Sequence, residues 1–320
     1  MTDVDRLAAE TGFSGVVRID TNGTITHARA YGLADRANGV PNTLDTRFGI
    51  ASGTKGLTAL TVLSLVEDGT LSLDTTARSL LGDDLPLIAP DVTVRHLLAH
   101  RSGIGDYADE ETEPPLTVPV DRLDGTEDYL PALDGHATKF AAGERFSYCN
   151  GGYVVLALLA ERAARVPFRE LVRVRVCEPA GMTSTGFPRA DELPGGSALG
   201  YLEGHAARTN VYELPVRGSG DGGAYSTVAD VHRLWAALVA GRIVRPESAT
   251  TPVSDVPEES MRYGLGFWLH ESRDQVILIG YDKGVSFHSR HDPATGDTVT
   301  VIGNTAAGAW PLVKALSEST

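Results

Sequence analysis

Ser52 and Lys55 stand three residues apart in FGIASGTKGLTAL, residues 48–60, where an apolar helical pattern begins. Two chemistries compete for that stretch. A nucleotide-cradling loop needs Gly, four residues, Gly, Lys and then Ser or Thr, so that backbone N–H groups hold phosphates and the hydroxyl meets magnesium. Here three residues separate Gly49 from Gly53, Thr54 precedes the lysine and Gly56 follows it. The hydroxyl is missing from its place, and the spacing excludes a nucleotide. The other chemistry is acyl transfer. A serine at the head of a helix sits where N–H groups and the positive dipole end favour an oxyanion. Lys55 shares its helix face. Burial disfavours a charged lysine, which lets it take the serine proton. Gly53 and Gly56 admit close approach by other backbone or by a substrate. Alone, Ser-x-x-Lys is equally the pattern of an N-cap followed by a surface lysine.

A second group lies in GERFSYCNGGY, residues 143–153. Tyr148 is placed to relay a proton or, as phenolate, to pull one from Ser52. Asn150 is suited to bind a substrate amide or to orient Lys55. Cys149, between them, reads as a small buried cysteine, because no histidine sits near it in sequence. His96 and His100 fall four apart, the spacing of a metal pair, but no HExxH pattern accompanies them. The reading includes no metal and no organic cofactor.

Elements must bring these groups together. Residues 15–20 and 25–31 alternate as strands around a Thr21-Asn22-Gly23 turn, good hairpin chemistry. Residues 266–271, 276–281, 285–291 and 297–304 read as further strands, with DPATG (292–296) a turn and 308–316 a closing helix. Between them, Leu57, Leu60, Leu63 and Val66 repeat at helical spacing, and 93–100, 151–164, 168–177 and 228–240 are further helices. The fold expected is therefore α/β (α+β). An antiparallel sheet drawn from both chain ends is flanked by helices, with a mostly helical lobe inserted. The expected organisation is a single domain, 1–320, with a sheet lobe at about 1–75 and 205–320 and a helical lobe at about 76–204. The acidic, proline-bearing stretch 104–128 reads as an exposed loop.

With both motifs and the elements in view, the chain resembles the serine β-lactamase and penicillin-binding-protein superfamily, in its class C β-lactamase-like, DD-peptidase and esterase branch. FGIASGTKGLTAL resembles the first motif, Ser-x-x-Lys. GERFSYCNGGYVVLALLAER resembles the second, Tyr-x-Asn. TVRHLLAHRSGI (93–104), FRELVRVRVCEPAGMTSTGF (168–187), GDGGAYSTVADVHRLW (220–235) and YGLGFWL (263–269) resemble framework segments. The resemblance runs from about residue 14 to 304. It implies that Ser52 is the acylated nucleophile, Lys55 its base and Tyr148 the proton shuttle. It also implies that the acidic loop 106–128 borders the entrance, with Tyr107 and Tyr225 as candidate lining residues.

The third motif departs from the family. Lys-Thr-Gly or His-x-Gly is expected on an edge strand, its cation meeting a substrate carboxylate. Here the stretch is ILIGYDKGVSFHS (277–289), and Gly280-Tyr281-Asp282 falls at the motif. Lys283-Gly284 substitutes only if the register slips. The expected substrate contacts are thus Asn150, Tyr281, Asp282, Lys283 and Gly284, with Asp282 a candidate selector for a cationic group. The expected reaction is hydrolysis of an ester or amide. The alternatives are a β-lactamase or D-amino-acid peptidase, an acyltransferase, or a non-catalytic sensor.

Composition limits the partners. The 320 residues carry a net charge of −14. That excludes the basic footprint of nucleic-acid binding and gives no help at an anionic membrane. No apolar run reaches the ~18 residues that span a bilayer. MTDVDRLAAETG has no secretory apolar core, so the expected compartment is the cytoplasm. Two cysteines make no disulfide scaffold. The partner expected is a small ester, amide or lactam.

Overall fold

The computed structural model describes residues 3–109, 112 and 116–318. Twelve strands are assigned among them. β1 (Gly15–Thr21) and β2 (Thr24–Tyr31) form the first hairpin; β3 (Leu33–Asp35) pairs with β4 (Val40–Pro41). β5 (Phe48–Gly49) pairs with β6 (Tyr225–Ser226). β7 (Ser254–Val256), β8 (Met261–Tyr263), β9 (Trp268–His270), β10 (Val276–Asp282), β11 (Val285–His291) and β12 (Thr298–Gly303) follow. The main sheet has eight strands in the order β2-β1-β12-β11-β10-β9-β8-β7. Its named pairings are antiparallel, and β1 meets β12 with Val17 opposite Val301. The two chain ends thus join in one sheet, as expected. Asn22 and Gly23, at φ 49° and 71°, make the tight β1–β2 turn that left-handed residues allow. The short β7 and β8 were not expected. Neither shows the alternating run that marks a strand, and each persists through its neighbour's ladder.

The helix Thr54–Glu67 lies at the centre. Leu57, Leu60 and Leu63 are buried, but so are Ala59, Val62 and Leu65 on its other side. A helix apolar all round is one packed on every face. Its hydroxyls are satisfied internally: Thr58 donates to the Gly220 carbonyl at 2.6 Å and Thr61 to that of Leu57 at 2.8 Å. The sheet covers one side. A Cβ on Gly53 would meet the Phe287 ring at 2.4 Å, and one on Gly56 the Leu278 side chain at 2.7 Å. These glycines admit core side chains, not the substrate that their position suggested. Helices Val94–Leu98, Asn150–Ala164 and Phe168–Val172 pack on the other side. The last continues as a π-helical segment, Arg173–Cys177, where an unbroken α-helix was expected.

A buried polar chain ties helix Val228–Val239 to the sheet. Arg18 holds Asp20 at 2.8 and 2.9 Å, and Asp20 bonds His232 Nδ1 at 3.0 Å. His232 Nε2 meets Thr300 Oγ1 at 3.1 Å, and Thr300 meets Ser289 at 2.8 Å, which accepts from Trp235 Nε1. Burial pulls His232 down to about 4 from 6.5, with the nearby Arg18 charge adding to it. Its folded value lies below its unfolded one, so the fold binds fewer protons. The stability is complete above pH 6.5 and is lost as pH falls toward 4, by roughly 3 kcal/mol at most. Urea unfolding of the wild type and His232→Gln at pH 7 and 4.5 is expected to show a smaller pH loss in the variant. Equal losses would discard this account.

Candidate active site

Ser52 does not cap the central helix. It occupies the middle of a 3-10 turn, Ala51–Gly53, and the capping position falls to Gly53 with no side-chain bond. Ala51 enters that turn at φ 42°, a left-handed conformation that costs an alanine about 1 kcal/mol or more. The plain N-cap explanation of Ser-x-x-Lys therefore fails here, and Lys55 is not on the surface either: it is 2% exposed.

The oxygens bonded to Lys55 Nζ include Ser52 Oγ at 2.9 Å, Asn150 Oδ1 at 2.7 Å and the Asp221 carbonyl at 2.7 Å. The last two are obligate acceptors and take two N–H groups. A further position on nitrogen faces Ser52. It is an N–H in the ammonium form and a lone pair in the neutral amine. In the latter form the hydroxyl proton of Ser52 has an acceptor already aimed at it.

Each partner is fixed by its own neighbours. The Asn150 Nδ2 donates to the Ala108 carbonyl at 2.7 Å, so both ends of its amide are engaged inside the protein. Asn150 thus orients Lys55, and its second Nδ2 hydrogen is not used by the Ala108 bond. Asp106 accepts from the Asn150 and Gly151 backbone N–H groups at 2.6 and 2.8 Å, supplying the anion that a helix N-terminus favours. Asp221 reaches Lys55 because glycines flank it: a Cβ on Gly220 would lie 2.0 Å from the Tyr153 carbonyl. Its carboxylate accepts from Tyr107 at 2.6 Å, and burial raises its pKa. Tyr107 thus braces the loop that carries Asp221. Asp106 and Asp221 escaped the sequence reading. Their only signals were the segments DYADE and GDGGAY, which nothing in composition or period marks as chemical.

Tyr148 is half-buried, its ring centroid 4.9 Å from Lys55 Nζ. One face packs on His100 at 4.4 Å, and Trp268 stacks beside it at 6.2 Å and 12°. His100 also pins the backbone on both sides of the tyrosine. Its carbonyl accepts from Ser147 N–H at 2.8 Å and its Nδ1 from Cys149 N–H at 3.1 Å. Complete burial holds the imidazole well below its usual range, so it is neutral. Cys149 is buried, its Sγ accepts from Gly152 N–H, and burial pushes its thiol up. His96 closes a capping box with Thr93. Tyr225 is half-exposed, and burial pushes its phenol up to about 12.

β10 borders Ser52 on the opposite side. A Cβ on Gly280 would sit 2.1 Å from the Ile50 carbonyl and 3.0 Å from Gly53 N. β9 pairs with Val276 and Ile277, and among the described residues no strand pairs with the rest of that edge of β10. Tyr281 is 64% exposed, with its ring toward Trp310. Asp282 Oδ1 accepts from Lys283 N–H at 2.8 Å, and burial pushes this carboxyl up to about 6. Lys283 extends to Glu213 at 2.8 Å, and its carbonyl accepts from Asn210. Gly284, at φ 73°, packs against Gly200 and Tyr201. The contacts of Lys283 and Gly284 therefore attach the hairpin to the 200–213 segment. Residues 110, 111 and 113–115 of the expected entrance loop lie outside the described residues.

A strained turn presenting a serine to a buried lysine, a tyrosine opposite and an open strand edge beside them define a β-lactamase-type site. The chain belongs to the beta-lactamase family, whose model matches residues 2–313. It is 31% identical to Esterase EstB of Burkholderia gladioli, over 98% of this chain and 92% of that one. The solved penicillin-binding protein of Bacillus halodurans is 35% identical, with a TM-score of 0.93 over 99% of this chain and 100% of that one. A D-amino acid amidase from Ochrobactrum anthropi, solved with L-phenylalanine amide, is 25% identical, with a TM-score of 0.79 over 99% of both chains. Among the described residues no helix is long and apolar enough to cross a membrane.

Proposed function

We propose that this serine hydrolase cleaves small esters or amides through an acyl-enzyme on Ser52, within one domain that spans residues 1–320. The observation that carries the reading is the contact of Lys55 Nζ with Ser52 Oγ, the Asn150 Oδ1 and Asp221 carbonyl contacts of the same nitrogen being obligate acceptors. Ser52 Oγ attacks the carbonyl carbon as its proton passes to the Lys55 amine. Two N–H groups hold the resulting oxyanion: that of Ser52 and that of Tyr281. A two-residue connection makes Asp282 and Val285 the closing hydrogen-bonded pair, so the next pair, Tyr281 and Ser286, turns its N–H groups outward. For Tyr281 outward is the open edge. The proton moves through Tyr148 to the leaving alcohol or amine. Water then attacks the acyl-enzyme as its proton passes to Lys55, and Lys55 returns that proton to Ser52 Oγ as the bond to the acyl group breaks and the acid leaves.

The identity of the Bacillus halodurans neighbour favours a second reading, acylation by a β-lactam. It is the weaker one, because Leu278, Gly280 and Asp282 offer no cation to a lactam carboxylate. Fluorophosphonate labelling followed by peptide mass spectrometry tests the nucleophile. The adduct is expected on Ser52, and Ser52→Ala is expected to lose both adduct and p-nitrophenyl butyrate turnover, by about 10⁴-fold or more. Label on another residue, or activity retained in Ser52→Ala, sinks the reading. Nitrocefin turnover faster than ester turnover would favour the β-lactam.

A further inference from the structure

The family resemblance puts a cation beside the nucleophile; this chain puts a carboxylate there. Side chains alternate along β10, so Leu278, Gly280 and Asp282 share a face. Leu278 meets the central helix at Gly56, and Gly280 abuts Ile50 and Gly53. Asp282 comes next, about 7 Å further along that face. Its carboxyl lies within the electrostatic reach of both Lys55 and Asp221. Oδ1 accepts from Lys283 N–H. Among the described residues Oδ2 takes no hydrogen bond or ion pair. The nearest sequence cation, Lys283, is engaged by Glu213 instead. At neutral pH Asp282 is ionised, since burial moves it only to about 6. A half-buried carboxylate with an unused oxygen is costly until a donor arrives.

We propose that Asp282 binds a protonated amine close to the scissile carbonyl, so that the site prefers amino-acid esters and amides over N-acylated or carboxylate-bearing ones. This rests on the Ser52 reading above. The oxyanion donor assigned there is Tyr281 N–H, one residue before Asp282, so an amine on the acyl group lies beside the carbonyl that Tyr281 holds. A substrate carboxylate in that place would meet Asp282 and Asp221, charges of its own sign. An ammonium supplies Oδ2 with charge-assisted donors.

The test compares D- and L-alanine p-nitroanilide with their N-acetyl and N-succinyl derivatives, with p-nitrophenyl butyrate as a neutral ester. The free amine of one enantiomer is expected to exceed its N-acetyl form in kcat/KM by about 10-fold or more, the size of a charge-assisted hydrogen bond. The succinyl form is expected to be the slowest. In Asp282→Asn that ratio is expected to collapse toward one, with fluorophosphonate labelling of Ser52 showing that the variant is folded. Should the variant not fold, competition in the wild type replaces it: butylamine is expected to inhibit ester hydrolysis and butyrate is not. Turnover of p-nitrophenyl butyrate with N-acetyl substrates equal to or better than free amines overturns the amine site and leaves the Ser52 mechanism standing. Absence of turnover on every substrate, with no adduct on Ser52, overturns both.

Discussion

Lys55→Ala is expected to lower kcat/KM for p-nitrophenyl butyrate by about 10³-fold, within the range a positioned general base supplies. The loss should fall on acylation, seen as a slow first turnover in stopped flow. Two effects combine. Ser52 loses the nitrogen 2.9 Å away whose neutral form would take its proton, and the Asn150 and Asp221 oxygens lose their shared donor. Unsatisfied buried acceptors cost roughly 1–3 kcal/mol each, so the variant should also melt lower. The pH profile separates the causes. A lysine that serves as base gives the wild type an ascending limb in kcat/KM that the variant lacks. A lysine that only braces the loop would leave the shape of the profile unchanged. Activity within 10-fold of wild type would rule out Lys55 as the base.

How far this site was legible in the sequence depended on the kind of signal each residue sends. Ser52 and Lys55 sit in one short motif, and local spacing carries them to the same place; Tyr148 sits in a second short motif that the fold brings to Lys55. The strands β10 and β11 and the first hairpin were legible because alternation and Asn-Gly turns are local too. Asp221 and Asp106 act through a backbone carbonyl and a helix terminus 166 and 44 residues from their partners. Nothing near them in sequence announces such contacts. His100 shows the same limit. Its position four residues from His96 suggested a metal pair, whereas its role is to pin Ser147 and Cys149 and so to aim Tyr148. Asn150 was legible as a site residue, but its bond to Lys55 needed the fold to be seen. The short strands β7 and β8 were hidden for a different reason: three residues are too few for alternation to stand out in the sequence.

Gly280→Ala should damage the site with a single methyl. The added Cβ would stand 2.1 Å from the Ile50 carbonyl, a backbone atom that cannot rotate away. Ile50 is itself tied down, its N–H donating to the Ala224 carbonyl and its carbonyl accepting from Gly53 N–H at 2.8 Å. β10 must therefore retreat by an ångström or so, and it carries the Tyr281 N–H with it. A misplacement of about 1 Å, or loss of one oxyanion donor, costs on the order of 10²-fold in rate. The expected result is a fall of that size in kcat with a smaller change in KM, because the donor matters most when the oxygen is charged. Overpacking is expected to cost about 1–3 kcal/mol besides. Gly195→Ala is the control: nothing lies within 4 Å of its added Cβ. It should leave both rate and melting temperature close to wild type. If Gly280→Ala kept its kcat, β10 would not hold the oxyanion. If it lost stability alone, the glycine would serve packing and the second donor would have to come from elsewhere than Tyr281.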